Sequence, residues 1–428
     1  MKTLFFTTIV IFTISLLPLN LKSQTWTIYE SMHNAFPYSD GTCIATDNNG
    51  NIWAGLDKYG EPKGLTMFNG TEWISYDSQN HGMPEVIINH IAFDNNNNVW
   101  LSTNQYVIKF NPNGNGTQSD WTIFTETETG FTYDEVNSGL CTQNGDMWFA
   151  SGGAGILHYD GSNWENHTLP VGCGASSLIW FFHLVEDQNN LIWFSAINRM
   201  GSFNPQNSTF EILDLTTGVQ LDKVRKIEFD NNYNMWVSLP VSPSYGMAKY
   251  DGTSWTEYNT SNTTLVSNNI QDFCIDGNNE IWVSTAGTLT HFDGTNWESW
   301  TNVDFMTGYS NFGALAEVTS DGEGNIWAIS GNYDFVKLSP GYQSIGDSPH
   351  SNQAKIKLWP NPTNGYLNTD QELDNVVVEI YDVNQKLIDL PSTSIYFSQL
   401  DLSHLQNGIY FIKFKTMTFI EVHKVIIN

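Results

Sequence analysis

Short runs in which apolar and polar residues alternate follow one another along most of the 428-residue chain, separated by clusters of Asn, Asp and Gly. A period of two marks a strand with one buried face, and the Asx/Gly clusters mark the turns between strands. Residues 270–300 show the pattern most clearly, with strands predicted over 270–275, 280–285, 288–292 and 296–300. The set recurs. Taking the tryptophan of its second strand as anchor gives Trp53, Trp100, Trp148, Trp193, Trp236, Trp282 and Trp327, spaced 47, 48, 45, 43, 46 and 45 residues apart. Six residues before each stands Asp47, Asp94, Thr142, Asp187, Asp230, Asp276 or Asp321, so the register holds throughout. A fixed period in the 40s carrying four short strands is the signature of a β-propeller, one blade per repeat. The fold expected is all-β: a seven-bladed propeller, followed by a small β-sandwich-like C-terminal domain.

Turn chemistry refines the unit. Asn69-Gly70, Asp160-Gly161, Asp251-Gly252 and Asp293-Gly294 separate the third and fourth strands. An Asx-Gly pair predicts a two-residue type I′ hairpin, whose central residues both need positive φ. Clusters such as 47–51 (DNNGN) separate the first and second strands and favour turns by bonding their own backbone and tolerating left-handed conformations.

The ends of the chain read differently. Met1-Lys2 leads into an apolar run over 4–19, with the small residue Ser23 at a plausible cleavage point, so residues 1–23 are expected to be a signal peptide. The run is shorter than the ~20 residues a membrane span needs, and no later stretch is apolar enough to cross, so no transmembrane span is expected in the mature chain. Trp26-Thr-Ile-Tyr29 repeats the fourth-strand pattern of Trp73-Ile-Ser-Tyr76 and Trp255-Thr-Glu-Tyr258, whereas the seventh unit lacks such a strand. The N-terminal strand is therefore expected to close the ring, placing the propeller at 24–340. A polar Gly/Ser/Pro-bearing linker over 341–354 leads to a second β domain at 355–428, with strand runs at 355–359, 376–382, 386–390 and 409–414.

Charge narrows the partners. Net charge is −28, and residues 24–340 hold 9 Lys+Arg against 36 Asp+Glu, so nucleic acid and anionic membranes are poor candidates. Of the four cysteines, Cys43, Cys141 and Cys274 lie in first strands of non-adjacent blades, and Cys173 lies in a loop within reach of Cys141. Sequence does not fix the pairing, and small buried hydrophobes are the plainer reading.

The form Asp-x-x-Gly-Asn-Ile-Trp at 47–53, followed by Gly-Leu-x-x-Phe-x-Gly at 64–70, resembles the two-component regulator propeller repeat found in Bacteroidetes-type sensor ectodomains and secreted proteins. The resemblance covers all seven units and implies fold. No kinase or membrane span accompanies it. The end of the chain resembles the type A sorting domain of type IX (Por) secretion. The matching residues are Trp359-Pro360-Asn361-Pro362 with Gly365, Val378 to Asp382, Asn384 to Ile388, Leu400 to Ser403, Asn407-Gly408-Ile409-Tyr410 running on to Lys413, and Lys424 to Ile427. Gln385 departs from the usual Gly. This resemblance implies a partnership with the type IX secretion machinery, export to the outer face of the cell and removal of the tail.

Candidate chemistry is sparse. Asp47-x-Asn49-x-Asn51 and Asp276-x-Asn278-x-Glu280 imitate the opening of a calcium loop, but Lys58 and Gly287 stand where the bidentate Glu should be, so they read as turns and no cofactor is expected, with Ca²⁺ in a few of them left as the alternative. His158 and His291 share a third-strand slot three blades apart and cannot share a metal. One column stands out. Four residues before each anchor Asp or Thr come Cys43, His90, Ser138, His183, Lys226, Asp272 and Glu317, between mostly apolar columns. On the innermost strands they would ring the channel mouth, which makes His90, His183, Lys226, Asp272 and Glu317 the candidate ligand-binding residues, against a self-satisfied polar layer. A Lys226–carboxylate pair is expected to lower the carboxylate pKa values, and the histidines to titrate between about pH 5 and 8. The long loops over 77–85, 125–135, 168–177, 214–223, 259–267 and 301–311, with 56–63 and 239–245, share one face, where recognition is expected. The leading function is a secreted or surface-displayed module binding a glycan or protein. The alternatives are a polysaccharide lyase or hydrolase, for which no nucleophile or metal triad is visible, and a ligand-presenting partner of a two-component sensor.

Overall fold

A computed structural model describes residues 25–30, 40–169, 180–213, 224–301, 315–339 and 358–427, apart from interruptions at 59, 80, 115–116, 131, 133–134, 154, 198, 240–245, 286, 331–333, 383–386 and 416–419. The signal-peptide and linker expectations, Cys173, and the loops 168–177, 214–223, 239–245 and 301–311 fall wholly or largely outside these residues. Cys43, Cys141 and Cys274 carry free thiols.

Six separate antiparallel sheets of four strands follow in chain order, each opening with one strand of an inner ring: Asp40–Thr46, Ile88–Phe93, Glu135–Cys141, Phe181–Glu186, Ile227–Phe229 and Ile270–Ile275. The seventh set is Leu315–Ser320, Ile326–Ser330 and Asp334–Ser339, completed by the N-terminal strand Thr25–Glu30. Trp26 stands opposite Leu338 and Tyr29 opposite Phe335, as the Trp-x-x-aromatic pattern predicts. Each opening strand packs on the next, and Leu315–Ser320 packs on Asp40–Thr46, so the ring is closed. The closing strand binds three units. Trp26 and Ile28 share a core with Trp282, Leu289 and Leu338, while Tyr29 stacks on Trp327 at 5.3 Å and meets Phe68.

The Asp-to-Trp register has a direct cause. The indole N–H of Trp53, Trp100, Trp193, Trp236, Trp282 and Trp327 donates to the carboxylate six residues earlier at 2.9–3.1 Å. The other carboxylate oxygen of the same Asp accepts backbone N–H groups two and four residues on, as Asp47 does from Asn49 and Asn51. A buried indole N–H left unpaired would cost about 1–3 kcal/mol, so one carboxylate closes the turn and satisfies the core. Between units the tryptophans meet aromatics of a neighbour, Trp53 against Phe110 and Trp236 against Phe292.

The fourth residue of all seven of these turns has positive φ, at Gly50, Asn97, Gly145, Asn190, Tyr233, Asn279 and Gly324, which accounts for the Asn/Gly clusters. The expected two-residue hairpins are corrected. Phe68 pairs with Trp73 and Tyr159 with Trp164, so these loops have four residues. Asp160 accepts from Ser162 and Asn163 with one carboxylate oxygen, and this Asx turn leaves only Gly161 at positive φ.

The C-terminal strands Tyr366–Asp382, Leu387–Asp401, Gly408–Lys415 and Ile420–Ile427 enclose their own core of Leu367, Val378, Ile380, Leu402, Ile412, Phe414 and Val425. The long strand Tyr366–Asp382 pairs with both Leu387–Asp401 and Gly408–Lys415. One pairing was not foreseen. Ile420–Ile427 lies antiparallel to Thr25–Glu30, with Thr25 opposite His423 and Ile28 opposite Ile420, so the tail covers the outer edge of the closing strand. Among the described residues no helix is long and apolar enough to cross a membrane.

Candidate functional site

Every opening strand but the fifth has a register shift immediately before its polar column residue, between Gly41 and Cys43, Ile88 and His90, Val136 and Ser138, Phe181 and His183, Ile270 and Asp272, and across Leu315 to Val318 beside Glu317. Two residues apart on an even strand share a face, but a bulge re-aims the second. Ile88 is therefore fully buried between sheets while His90 is only half-buried. Bulged Asn89 and Asn137 donate across to the carbonyls of Val136 and Phe181 and tie neighbouring units together.

The column residues converge in two groups. On one side Lys226 Nζ lies 2.8 Å from Asp272 and 3.1 Å from Glu228. The second oxygen of Asp272 accepts the Val318 N–H at 3.0 Å, next to Glu317. Glu228, which lies outside the column, is on the strand Ile227–Phe229 two residues after Lys226, which stands just before it, and that spacing is visible in the sequence. Its carboxylate accepts the Ile275 N–H at 3.1 Å. On the other side the rings of His90 and His183, from the second and fourth units, meet edge to face with centroids 6.2 Å apart. His90 Nδ1 accepts the Gly139 N–H at 3.2 Å, so the proton of its neutral ring sits on Nε2. His183 Nδ1 and the Ser138 hydroxyl are buried without hydrogen-bond partners.

The expected titration is corrected by this crowding. Burial, reinforced by Lys226, lowers the His90 pKa to about 4, and burial with Lys226 and His90 holds His183 well below the usual range. His90 thus stays neutral from pH 5 to 8, and His183 is held toward its neutral form. Burial raises Glu317 to about 8, aided by Asp272 and opposed by Lys226. Burial likewise raises Glu228 despite Lys226, so these carboxylates go up where a simple pair would take them down. For Lys226 burial works against the charge, but Asp272 and Glu228 outweigh it and the ammonium is held well above its ordinary value. Burial and the nearby Glu317 push the Cys43 thiol far up, leaving it protonated.

A second cluster lies away from the axis, in the third unit. One ligand atom each from His158, Glu165 and His167 lies within 4.8 Å of the others. Of the three only His158 stands out in the sequence, because Glu165 and His167 sit on the next strand and meet it only through the hairpin register.

In the tail, Asn361 Oδ1 accepts the Ile426 N–H at 2.9 Å, and Pro360 and Pro362 are exposed beside it. Gly365 has φ +111°, and a Cβ there would stand 2.9 Å from Ser403 Cα, which explains why glycine is required. Tyr410 is buried and donates to the Gln406 carbonyl at 2.9 Å, Gly408 opens its strand opposite Ile427, and Lys424 pairs with Phe411 along the backbone.

With this geometry in view, comparison with known proteins gives three results. The model of the two component regulator propeller matches residues 264–287, and that of the secretion system C-terminal sorting domain matches residues 357–428. No curated protein matches the chain. Among solved structures the chain is similar to the extracellular domain of BT3049 from B. thetaiotaomicron, described as a hybrid two component system, at 14% identity and TM-score 0.55, covering 91% of this chain and 55% of that one. It is similar to the corresponding domain of BT4673 from the same organism at 13% identity and TM-score 0.57, covering 94% and 58%. It is also similar to a streptogramin B lyase at 13% identity and TM-score 0.56, covering 74% of this chain and 98% of the lyase. The chain thus spans little more than half the length of the two B. thetaiotaomicron domains, and identities this low establish the fold alone. The protein is a β-propeller in which residues 264–287 match the two component regulator propeller, followed at 357–428 by a type IX sorting domain that sends it to the cell surface.

Proposed function

We propose that this protein is a surface-displayed recognition module that binds a hydroxyl-rich ligand, a glycan foremost or a protein loop, at the axis of the ring. The observation that supports this most is the polar cluster of Lys226, Asp272, Glu228, Glu317, His90 and His183 on a closed apolar scaffold, all but Lys226 and Glu228 set by bulges on the opening strands. Neutral imidazoles and a carboxylate–ammonium network offer donors and acceptors with little net charge, which suits hydroxyl groups better than phosphates. The unpartnered Nδ1 of His183 is a group that a ligand hydroxyl can satisfy. Probing a glycan array with the full chain tests the reading. Binding of neutral glycans that His183→Gln abolishes supports it, and glycan binding indifferent to that change points elsewhere.

One observation favours a second reading, in which the protein is a lyase or hydrolase acting on polysaccharide. A carboxyl group held near pKa 8, as Glu317 is, is protonated at neutral pH and suited to general-acid work. Release of new reducing ends from a polysaccharide by the wild type but not by Glu317→Gln would establish this reading over simple recognition.

A further inference from the structure

We propose that the third unit carries a binding site for a divalent d-block cation of the zinc class, held by His158, Glu165 and His167. His158 lies on the strand Ile156–Tyr159 and the other two on Trp164–His167, with His158 directly opposite Glu165 and Ile156 opposite His167. The hairpin therefore delivers two imidazoles and a carboxylate to one place.

The sixth unit provides an internal control for what these positions do without such a site. There His291 stacks on Trp282 at 4.2 Å, and Trp300 fills the position of His167, 6.3 Å from His291. In the third unit His158 stacks on Trp148 at 4.1 Å and lies 6.3 Å from His167, so one packing arrangement is kept while an apolar indole becomes a second ligating ring. The corresponding positions hold Tyr29, Tyr76, Phe124, Leu213 and Tyr258 in the other units, none of them among the usual His, Cys or carboxylate ligands of zinc. The slot of His158 is Lys109, Lys249 or Lys337 in the second, fifth and seventh units, each paired with its own anchor Asp. The third unit has Thr142 instead of that Asp. Packing alone does not call for a histidine at 167.

The geometry fits an ion better than a set of hydrogen bonds. His167 Nε2 is buried, has no hydrogen-bond partner, and stands 3.7 Å from the Glu165 carboxylate. That distance is too long for a hydrogen bond, yet two ligands each about 2.0–2.2 Å from one tetrahedral zinc are about 3.3–3.6 Å apart. The Glu165 side chain is largely exposed and free to swing inward, whereas Trp148 and Phe203 hold the imidazoles from below. Asp146 lies 3.0 Å from His158 Nε2 and fixes the ring, as carboxylates behind metal-bound histidines do. Two imidazoles with one carboxylate select zinc-class ions over calcium and magnesium, which take mainly oxygen ligands.

The test is calorimetric titration of the full chain with Zn²⁺, together with Co²⁺ absorption as a reporter of tetrahedral coordination. One ion per chain is expected, with affinity at least tenfold weaker in His167→Phe and unaffected by tenfold excess Ca²⁺. Phenylalanine already occupies this position in the second unit, so the variant should fold. Asp146→Asn should weaken binding about tenfold. His291→Lys, which puts the commoner residue in the sixth unit, should change nothing. Failure of the wild type to bind Zn²⁺ in the micromolar range, or equal binding by His167→Phe, would overturn the proposal. So would loss of the ion in His291→Lys.

Discussion

Replacing Lys226 by Met removes the cation that Asp272, Glu228 and Glu317 share while keeping the length and apolar stem of the side chain. Breaking a buried pair by removing one partner costs about 3–5 kcal/mol, because the remaining charge is left without compensation. The Lys226 and Glu228 side chains keep 23% and 24% of their surface accessible, which places the expectation at the lower end, about 3 kcal/mol at pH 7. With unfolding entropy near 2.1 cal/mol/K per residue, a propeller of roughly 300 residues shifts by about 1.5 °C per kcal/mol, so the melting temperature should fall by roughly 5 °C. The sign of the pH effect follows from the same contacts. Lys226 lowers the pKa values of Glu228 and Glu317, so without it they rise further and the carboxylates protonate earlier as pH falls. The deficit of the variant should therefore shrink between pH 7.5 and 5. Circular dichroism melts of wild type and Lys226→Met across that range give the answer. A variant within 1 °C of wild type at pH 7, or a deficit unchanged at pH 5, would refute the charge accounting.

Three further outcomes follow from the fold. Trp26→Ala should destabilise by about 3–5 kcal/mol, the cost of emptying a large core position, and chemical denaturation should show it if the N-terminal strand closes the ring. Glu317 has a folded pKa near 8 against about 4.5 unfolded, so its contribution is complete below pH 4.5 and lost as pH rises to 8; Glu317→Gln should flatten the decline in melting temperature over that interval. Deleting residues 357–428 should leave the protein inside the outer membrane of a type IX-competent host, as read by surface labelling of intact cells.

Much of this architecture was legible because one local device repeats. An Asp six residues before a Trp is visible in six of the seven copies, and its hydrogen bond to the indole explains why the spacing is rigid. The position of the polar column was legible for the same reason. Its chemistry was not. The bulges that turn His90, His183 and Asp272 away from their strand neighbours leave no mark in a pattern of period two, and the crowding that keeps both imidazoles neutral arises from units far apart in sequence. Glu228 was within reach, since residues two apart on a strand share a face, but a column drawn across repeats passes it by. His167 was hidden by its own repeat, where it takes the place of an aromatic ring. The four-residue hairpins show a related failure: Asp160 and its equivalents satisfy the turn with a side chain, so the Asx-Gly pair signals a turn without fixing its type. The pairing of Ile420–Ile427 with Thr25–Glu30 joins the two ends of the chain, and no local pattern encodes it.

The proposed recognition role is tested most directly by isothermal calorimetry of the full chain with the strongest glycan found on the array, comparing wild type with His183→Gln and Asp272→Asn at pH 7. The account predicts at least a tenfold loss of affinity in each variant, with His183→Gln melting within about 2 °C of wild type because His183 Nδ1 has no hydrogen-bond partner in the fold to lose. Affinities unchanged in both variants would contradict it and make the axial cluster a structural layer.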